Sequence, residues 1–185
     1  NRQKIQTGTD KVAVIYAQGE IFFGEGGKDQ IGQGLIVDAL QKATKNENVK
    51  AIVFRVDSPG GSALVSDIIW REMQLAKKVK PVVVSFGNVA ASGGYYIGVG
   101  GDKIFAEPTT ITGSIGVFGT SPNINELAKN VGINAEQVGT NKNSVDYSLF
   151  EPMSDSFRKV VLESIEETYG TFLERVAQGR NMTVA

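Results

Sequence analysis

Ser92 is the residue of this chain with the clearest potential for chemistry. It lies in residues 90–96 (AASGGYY), where a hydroxyl follows small residues and precedes two glycines. A serine becomes a nucleophile only when a neighbouring base, usually an imidazole, takes its proton. The chain has no histidine, so a base for Ser92 would be a desolvated lysine or, as the weaker candidate, a carboxylate. Burial lowers the pKa of a lysine, which lets the neutral amine accept a proton.

The composition excludes several other kinds of site. Without histidine or cysteine, the chain cannot hold a His-containing metal site, a Cys-ligated zinc or a thiolate nucleophile. The formal net charge of −1 gives no support to nucleic-acid binding, which calls for a clustered basic surface. The chain also contains no phosphate-binding loop. We therefore expect no cofactor, no metal and no nucleic-acid partner.

A second glycine-rich segment, from Asp57 to Ser62, follows a predicted strand and precedes a predicted helix. Ligands of open α/β folds bind at the carboxyl ends of strands, and fixed glycine N–H groups there can stabilise a tetrahedral intermediate. Structural interpretations are also open: a tight turn for this segment, and a helix N-cap for Ser92. Two such loops after two strands favour a functional interpretation of both.

Strand and helix patterns alternate along the chain, which predicts a parallel sheet with helices on both faces. Apolar runs rich in β-branched residues predict strands at 12–16, 51–56 and 82–86, with weaker candidates at 103–106 and 133–138. Apolar residues at helical spacing predict helices around 35–43, after an N-cap at Ser62, at 93–99, at 123–131 and at 155–178. Gly132 and Gly179 are expected just beyond the last two helices.

Three segments together resemble a known family. They are residues 55–62 (RVDSPGGS), 90–96 (AASGGYY) and 110–117 (TITGSIGV). In this order they are similar to the signal peptide peptidase A (protease IV) family of bacterial serine–lysine peptidases, whose fold is Clp-protease/crotonase-like. The resemblance extends from residue 11 to residue 185, and three ordered motifs make it specific.

The resemblance implies a role for each matching residue. Ser92 would be the nucleophile, the backbone N–H groups of Gly61 and Gly93 would form the oxyanion hole, and Ser114 would hydrogen-bond and orient the lysine base. The implied reaction is cleavage of remnant signal peptides and other hydrophobic peptides through an acyl-enzyme on Ser92. The implied setting is the bacterial inner membrane, reached through a segment outside this chain, with the catalytic domain on the periplasmic side.

One departure from the family pattern concerns the base. In short, single-domain members the lysine lies in the stretch that matches residues 139–148, where Ser144 occupies its position and Lys142 is offset by two residues. In long, two-domain members the N-terminal half supplies the lysine. The resemblance therefore implies a C-terminal catalytic half whose partners are its own N-terminal half and the other subunits of a homo-oligomer. Residues 1–10 would be a linker, and residues 11–185 the peptidase domain, truncated at its tail.

Two rival functions stay open at this point. A crotonase-like acyl-CoA enzyme would share the fold and the backbone oxyanion hole, since fold alone does not fix function. A half-domain used only for assembly would carry vestigial catalytic residues. Ser92, in its setting of small residues, argues against both.

Overall fold

The computed structural model describes residues 8–141 and 144–184. Two compact units are found within them, one made of residues 8–116 and 171–184, the other of residues 117–170. Among the described residues, no helix combines the length and the apolar character needed to cross a membrane.

Strands and helices alternate from residue 33 to residue 105, as the sequence predicts, but the short strands at 20–22, 26–27, 30–32 and 111–113 were not predicted. In chain order the elements are β1 (Lys11–Gln18), β2 (Glu20–Phe22), β3 (Gly26–Gly27), β4 (Gln30–Gly32), α1 (Gln33–Lys45), β5 (Val49–Ser58), α2 (Ala63–Lys77), β6 (Val82–Ala91), α3 (Gly93–Gly98), β7 (Lys103–Phe105), β8 (Ile111–Gly113), α4 (Asn125–Asn130) and α5 (Asp155–Arg180). The main sheet has the order β1-β5-β6-β7, with β8 beside the later part of β6. All of its pairings are parallel, which confirms the α/β fold with a parallel sheet.

One predicted helix end and one predicted strand need correction. The strand predicted at 133–138 is wrong: this segment is irregular, because only its ends, Ile133 and Val138, are β-branched and both are exposed. Helix α5 runs through Gly179 to Arg180, and Asn181, with φ 52°, follows it. Gly179 lies inside the helix because its Cα packs against the carbonyl of Val99, where a side chain would not fit. The N-cap at Ser62 is confirmed, since its side chain accepts from the N–H of Val65.

Helices on both faces of the sheet are not found within the first unit. Buried residues of α1, α2 and α3, such as Leu40, Ile69 and Ile97, share one core with buried strand residues such as Phe54 and Val84. The opposite face of β1 is open, with Val12, Val14 and Tyr16 exposed by 59, 49 and 68%. An apolar β-branched run looks the same in sequence whether one face or two are covered, so the sequence pattern could not separate these cases.

The pairing of β5 with β6 is irregular and lengthens β6 before the loop that follows it. Val56 pairs with Phe86, but Ser58 pairs with Ala90, so β6 contains two additional residues. The carboxylate of Asp57 accepts a hydrogen bond from the N–H of Val89 at 3.0 Å and so holds this irregular stretch. As a result β6 continues to Ala91, and its extension is the part that pairs with β8.

The second unit contains α4 and the first part of α5. The N–H of Ile124 donates to the carbonyl of Leu149 at 2.7 Å, and the side chain of Asn125 donates to the carbonyl of Phe150. Gly132, with φ 80°, follows α4 as predicted. These contacts connect the short helix to the irregular segment that precedes α5.

Candidate active site

Ser92 lies at the junction of β6 and α3 in a backbone conformation that a serine rarely adopts. Its φ and ψ are 51° and −124°, and its side chain makes no capping hydrogen bond. Ser92 occupies the N-cap position of α3, but the interpretation of its hydroxyl as a helix cap is wrong, because a capping serine has β-region torsions and bonds to the first turn. A non-glycine residue at positive φ costs about 1–3 kcal/mol, and such residues concentrate at functional sites. A strained serine between a strand and a helix is also the arrangement of a nucleophile elbow.

Gly61 directs its N–H away from the neighbouring strand. The N–H of Ile21 in β2 donates to the carbonyl of Gly60, and the N–H of Ser62 donates to the carbonyl of Ile21, both at 2.8 Å. In a parallel pairing of this kind, the residue between the two bonded ones points its own N–H and C=O to the other side. The N–H of Gly61 is therefore available to a ligand on the side opposite β2.

Gly93 lies close to Gly61 on that side. A Cβ built on Gly93 would lie 3.3 Å from the nitrogen of Gly61. As the first residue of α3, Gly93 also has an N–H without an acceptor inside its own helix. The backbones of Gly61 and Gly93 thus lie next to each other and directly beside Ser92, as an oxyanion hole requires.

Sequence reasoning considered Gly60 only as one of a glycine pair that could donate to an oxyanion, although it is the glycine that contacts the serine. Its φ is 106°, and a Cβ at this position would lie 2.7 Å from the nitrogen of Gly93 and 2.9 Å from the Cβ of Ser92. The buried hydroxyl of Ser58 accepts a hydrogen bond from the N–H of Gly60 at 3.1 Å. The two glycines therefore differ in role. Gly60 allows the backbone to approach Ser92 and Gly93 closely, and Gly61 provides an N–H that does not bond to β2.

Ser66 is a second residue that the sequence analysis missed. It is buried in α2, and its hydroxyl donates to the carbonyl of Ser62 at 2.9 Å. A Cβ on Gly93 would lie 2.6 Å from this hydroxyl oxygen. The four-residue spacing from Ser62 could have indicated the hydrogen bond, but no signal in the sequence indicates the contact with Gly93.

Ser114 is brought beside Ser92 by the pairing of β8 with β6. Ala91 and Gly113 are opposite each other in this pairing, and the N–H of Ser92 donates to the carbonyl of Gly113 at 2.9 Å. The hydroxyls of Thr110 and Thr112 donate to the carbonyls of β6 residues, both at 2.9 Å, which fixes the register. The structure therefore unites all four predicted site residues: Ser92, Gly61, Gly93 and Ser114.

Lys142 and Ser144 are the two positions that the sequence analysis considered for a lysine base. Lys142 lies outside the described residues. Ser144 belongs to the second unit, where its hydroxyl accepts from the N–H of Asn141 at 3.2 Å and donates to the carbonyl of that residue at 2.9 Å. Ser144 is thus a residue of a local turn.

Two acidic side chains near the site have structural partners. Asp57 accepts from the N–H of Val89, and Asp67 accepts from the hydroxyl of Tyr96. Asp102 lies at the opposite end of β6, where it accepts from the N–H of Val82. Across the described part of the chain, no group of three or more acidic residues could hold a metal ion.

Comparison with known proteins identifies the family. The model of peptidase family S49 matches residues 74–185 of this chain. The chain belongs to peptidase family S49. This makes it a homologue of serine peptidases, and the strained Ser92 with its two neighbouring N–H groups lies inside or beside the matched region.

Similar family S49 proteins occur in several organisms. The chain is 40% identical over 175 residues to Protease 4 of Haemophilus influenzae, covering 94% of this chain and 28% of that protein. It is 34% identical over 182 residues to Serine protease SPPA, chloroplastic, of Arabidopsis thaliana, covering 96% of this chain and 27% of that protein. It is 36% identical over 159 residues to the Putative signal peptide peptidase SppA of Enterococcus faecium, covering 84% of this chain and 45% of that protein. The chain thus spans less than half the length of each of these relatives.

Proposed function

We propose that Ser92 is the nucleophile of a Ser/Lys-dyad endopeptidase. The observation that carries this proposal is the strained turn of Ser92 between β6 and α3, with the N–H groups of Gly61 and Gly93 beside it. A strained turn of this kind needs compensation elsewhere in the fold, which a functional role explains and a simple connection does not.

The proposed reaction proceeds through an acyl-enzyme. The Ser92 hydroxyl attacks the carbonyl carbon of a peptide while a neutral lysine takes its proton, and the carbonyl oxygen receives the N–H groups of Gly61 and Gly93. The C–N bond then breaks, and the leaving amine takes the proton back from the lysine. Water attacks the resulting ester, again with the lysine as base, and releases the acid and the free serine.

Ser114 is proposed to orient the lysine. Ser114 is exposed and lies next to Ser92 across the β6–β8 pairing. A hydroxyl that bonds to a neutral amine directs the nitrogen lone pair toward the nucleophile, as supporting residues orient a catalytic base.

The lysine is proposed to come from an N-terminal half of a longer polypeptide. Two observations support this: Ser144 stands where the resemblance places the lysine of short members, and this chain spans only 28% of Protease 4 of Haemophilus influenzae. In this view residues 11–185 form the catalytic half, with a Clp-protease/crotonase-like fold, and act with the other half and with further subunits.

The proposed substrates are remnant signal peptides and other hydrophobic peptides at the periplasmic side of a bacterial inner membrane. The name of the Enterococcus faecium relative, a Putative signal peptide peptidase, supports this substrate class. A membrane anchor would lie in a segment other than the described helices.

The proposal is tested by assaying peptide hydrolysis with the 185-residue chain and with the full-length protein, from about pH 6 to about pH 10, where a desolvated lysine titrates. We expect the chain alone to fold, by circular dichroism, and to be silent, while the full-length protein is active and its Ser92 reacts with a fluorophosphonate. Turnover by the chain alone that Lys142→Ala abolishes would place the base inside this chain. Hydrolysis of an acyl-CoA thioester that does not require Ser92 would favour the crotonase-like alternative.

A further inference from the structure

Helix α3, which follows Ser92, has little stability of its own. Three of its six residues are glycine (Gly93, Gly94 and Gly98), and its N-cap residue makes no side-chain hydrogen bond. Glycine disfavours the helical state, and helices this short do not persist in isolation. The position of α3, and with it the direction of the Gly93 N–H, therefore depends on the contacts that its side chains make.

Tyr96 provides several of these contacts. Its hydroxyl donates to the Asp67 carboxylate of α2 at 2.6 Å, and its ring packs against Trp70 and Phe172 at centroid distances of 6.4 and 4.9 Å. Burial, together with the hydrogen bond and charge of Asp67, raises the pKa of Tyr96 above its ordinary value, so the hydroxyl stays a proton donor. The backbone N–H of Tyr96 donates to the carbonyl of Ser92 at 2.9 Å, which connects this cluster to the turn of the serine.

The last turns of α5, residues 171–180, complete the cluster. The guanidinium of Arg175 lies 4.1 Å from the ring centroid of Trp70, and its Nε lies 3.6 Å from the Asp67 carboxylate. A second arginine, Arg180, donates to the hydroxyl of Tyr95 at 2.7 Å. Charged side chains thus engage both tyrosine hydroxyls of α3.

We propose that Tyr96, held by Asp67 and Arg175, is a positioning residue that keeps Ser92 and the N–H of Gly93 in the reactive geometry. The inference rests on the proposed function and adds a role for α2 and for the last turns of α5. If the Asp67 bond is lost, α3 can rotate about its short axis and turn the Gly93 N–H away from the oxyanion. Small displacements of this kind reduce catalysis strongly, because the donors must point at the charge that develops in the transition state.

The experiment measures kcat and KM for peptide hydrolysis by the full-length protein carrying Tyr96→Phe, Asp67→Ala or both. Each single variant should lower kcat about tenfold, with KM within about twofold, and the double variant should lose no more than either single one. Asp67→Asn should recover most of the loss, because an amide oxygen still accepts from the hydroxyl. The matched control is Tyr16→Phe on the open sheet face, which should leave kcat unchanged. Additive losses, or unchanged kcat in folded variants that are only less stable in urea, would overturn the inference.

A measurement that does not depend on enzyme activity separates this inference from the proposed function. In the Ser92→Ala background, hydrogen exchange of the Tyr96 amide reports on its bond to the carbonyl of residue 92. Tyr96→Phe should speed this exchange about tenfold while amides of β5 keep their rates, since a local opening does not unfold the core. If the full-length protein hydrolyses no peptide, the proposed function fails, and exchange alone decides the role of Tyr96. Unchanged exchange in Tyr96→Phe contradicts that role even in an active enzyme.

Discussion

Ser92 and Ser114 share an unusual backbone but stand in different surroundings. Their φ angles are 51° and 50°, and each directly follows one of two residues that oppose each other in the β6–β8 pairing. Ser92 leads into a buried helix, whereas Ser114 is exposed and leads into an irregular segment. The same backbone conformation thus holds the Ser92 hydroxyl at the start of a buried helix and exposes the Ser114 hydroxyl to solvent.

The difference suggests how labour is divided between the two hydroxyls. A nucleophile needs a fixed position beside fixed N–H groups, which Ser92 has through Gly60, Gly61 and Gly93. A residue that orients a base from another part of the protein needs access, which Ser114 has. In the described chain, neither hydroxyl has a hydrogen-bond partner, so both are free to meet a substrate or a lysine.

The strongest test of this division is Ser92→Ala. Removing the proposed nucleophile should lower peptide hydrolysis by the full-length protein by about 10⁴-fold or more, because the remaining N–H groups and binding alone give little rate. Steady-state kinetics measures the loss, and circular dichroism confirms the fold. Near-normal turnover by a folded Ser92→Ala variant would remove the distinction between the two serines.

Gly93→Ala tests whether the backbone next to Ser92 and Gly61 must stay uncrowded for activity. The added methyl would lie 3.3 Å from the nitrogen of Gly61, where the oxyanion is expected, so kcat should fall about 10²-fold, as for loss of an oxyanion donor. Ser66→Ala in the same protein removes the hydroxyl oxygen that the methyl meets at 2.6 Å. Recovery of kcat in the double variant would show that the loss came from crowding against α2 and not from a blocked oxyanion hole.

Ser114→Ala should lower turnover less than Ser92→Ala, and by no more than Gly93→Ala. A lysine that has lost its orienting hydroxyl still acts as a base, so turnover should fall about ten- to a hundredfold, equivalent to roughly 1.4–2.7 kcal/mol of the barrier. Stability should change little, since Ser114 is exposed. A variant that unfolds readily yet keeps its specific activity would assign Ser114 a structural role.

The smallest expected effect is on the free energy of unfolding, and it is the same for both serines. Ser92→Gly and Ser114→Gly should each raise the free energy of unfolding by about 0.5–1 kcal/mol, because glycine relieves the strain of a positive φ. Ser164→Gly, at an exposed position inside α5, is the matched control and should lower stability by about 0.5 kcal/mol. Urea unfolding measures all three. A loss of stability at Ser92 or Ser114 would mean that these turns store no strain.

The site was predictable from the sequence because strand topology determines it. Parallel strands end at one edge of a sheet, so the segments after β5, β6 and β8 had to meet there. No strand was predicted at Ile111–Gly113, so only the family resemblance assigned Ser114 to the site. Gly61 and Ser92 are placed together once β5 and β6 are recognised from their β-branched residues. Gly93 then follows as the residue next to the serine.

Other features depend on tertiary contacts that leave no local pattern. The contacts of Gly60 with Ser92 and of Ser66 with Gly93 join residues from different elements, as does the bond between Tyr96 and Asp67. The open face of the sheet was missed for a related reason: apolar spacing reports that a strand can be buried, not what covers it. The strained φ of Ser92 was also invisible, since serine has no preference for it.

The two additional residues of β6 have a consequence for how this chain can change in length. Side chains along a strand alternate with a period of two, so an excess of two residues leaves Phe86 and Ala90 on the same buried face. Deletion of one residue between them would invert the phase of everything that follows and turn Ser92 away from Gly61. Deletion of two would preserve the phase and only shorten the strand. Insertions and deletions of two residues in this stretch therefore preserve the phase, whereas a change of one residue requires a further bulge to restore it.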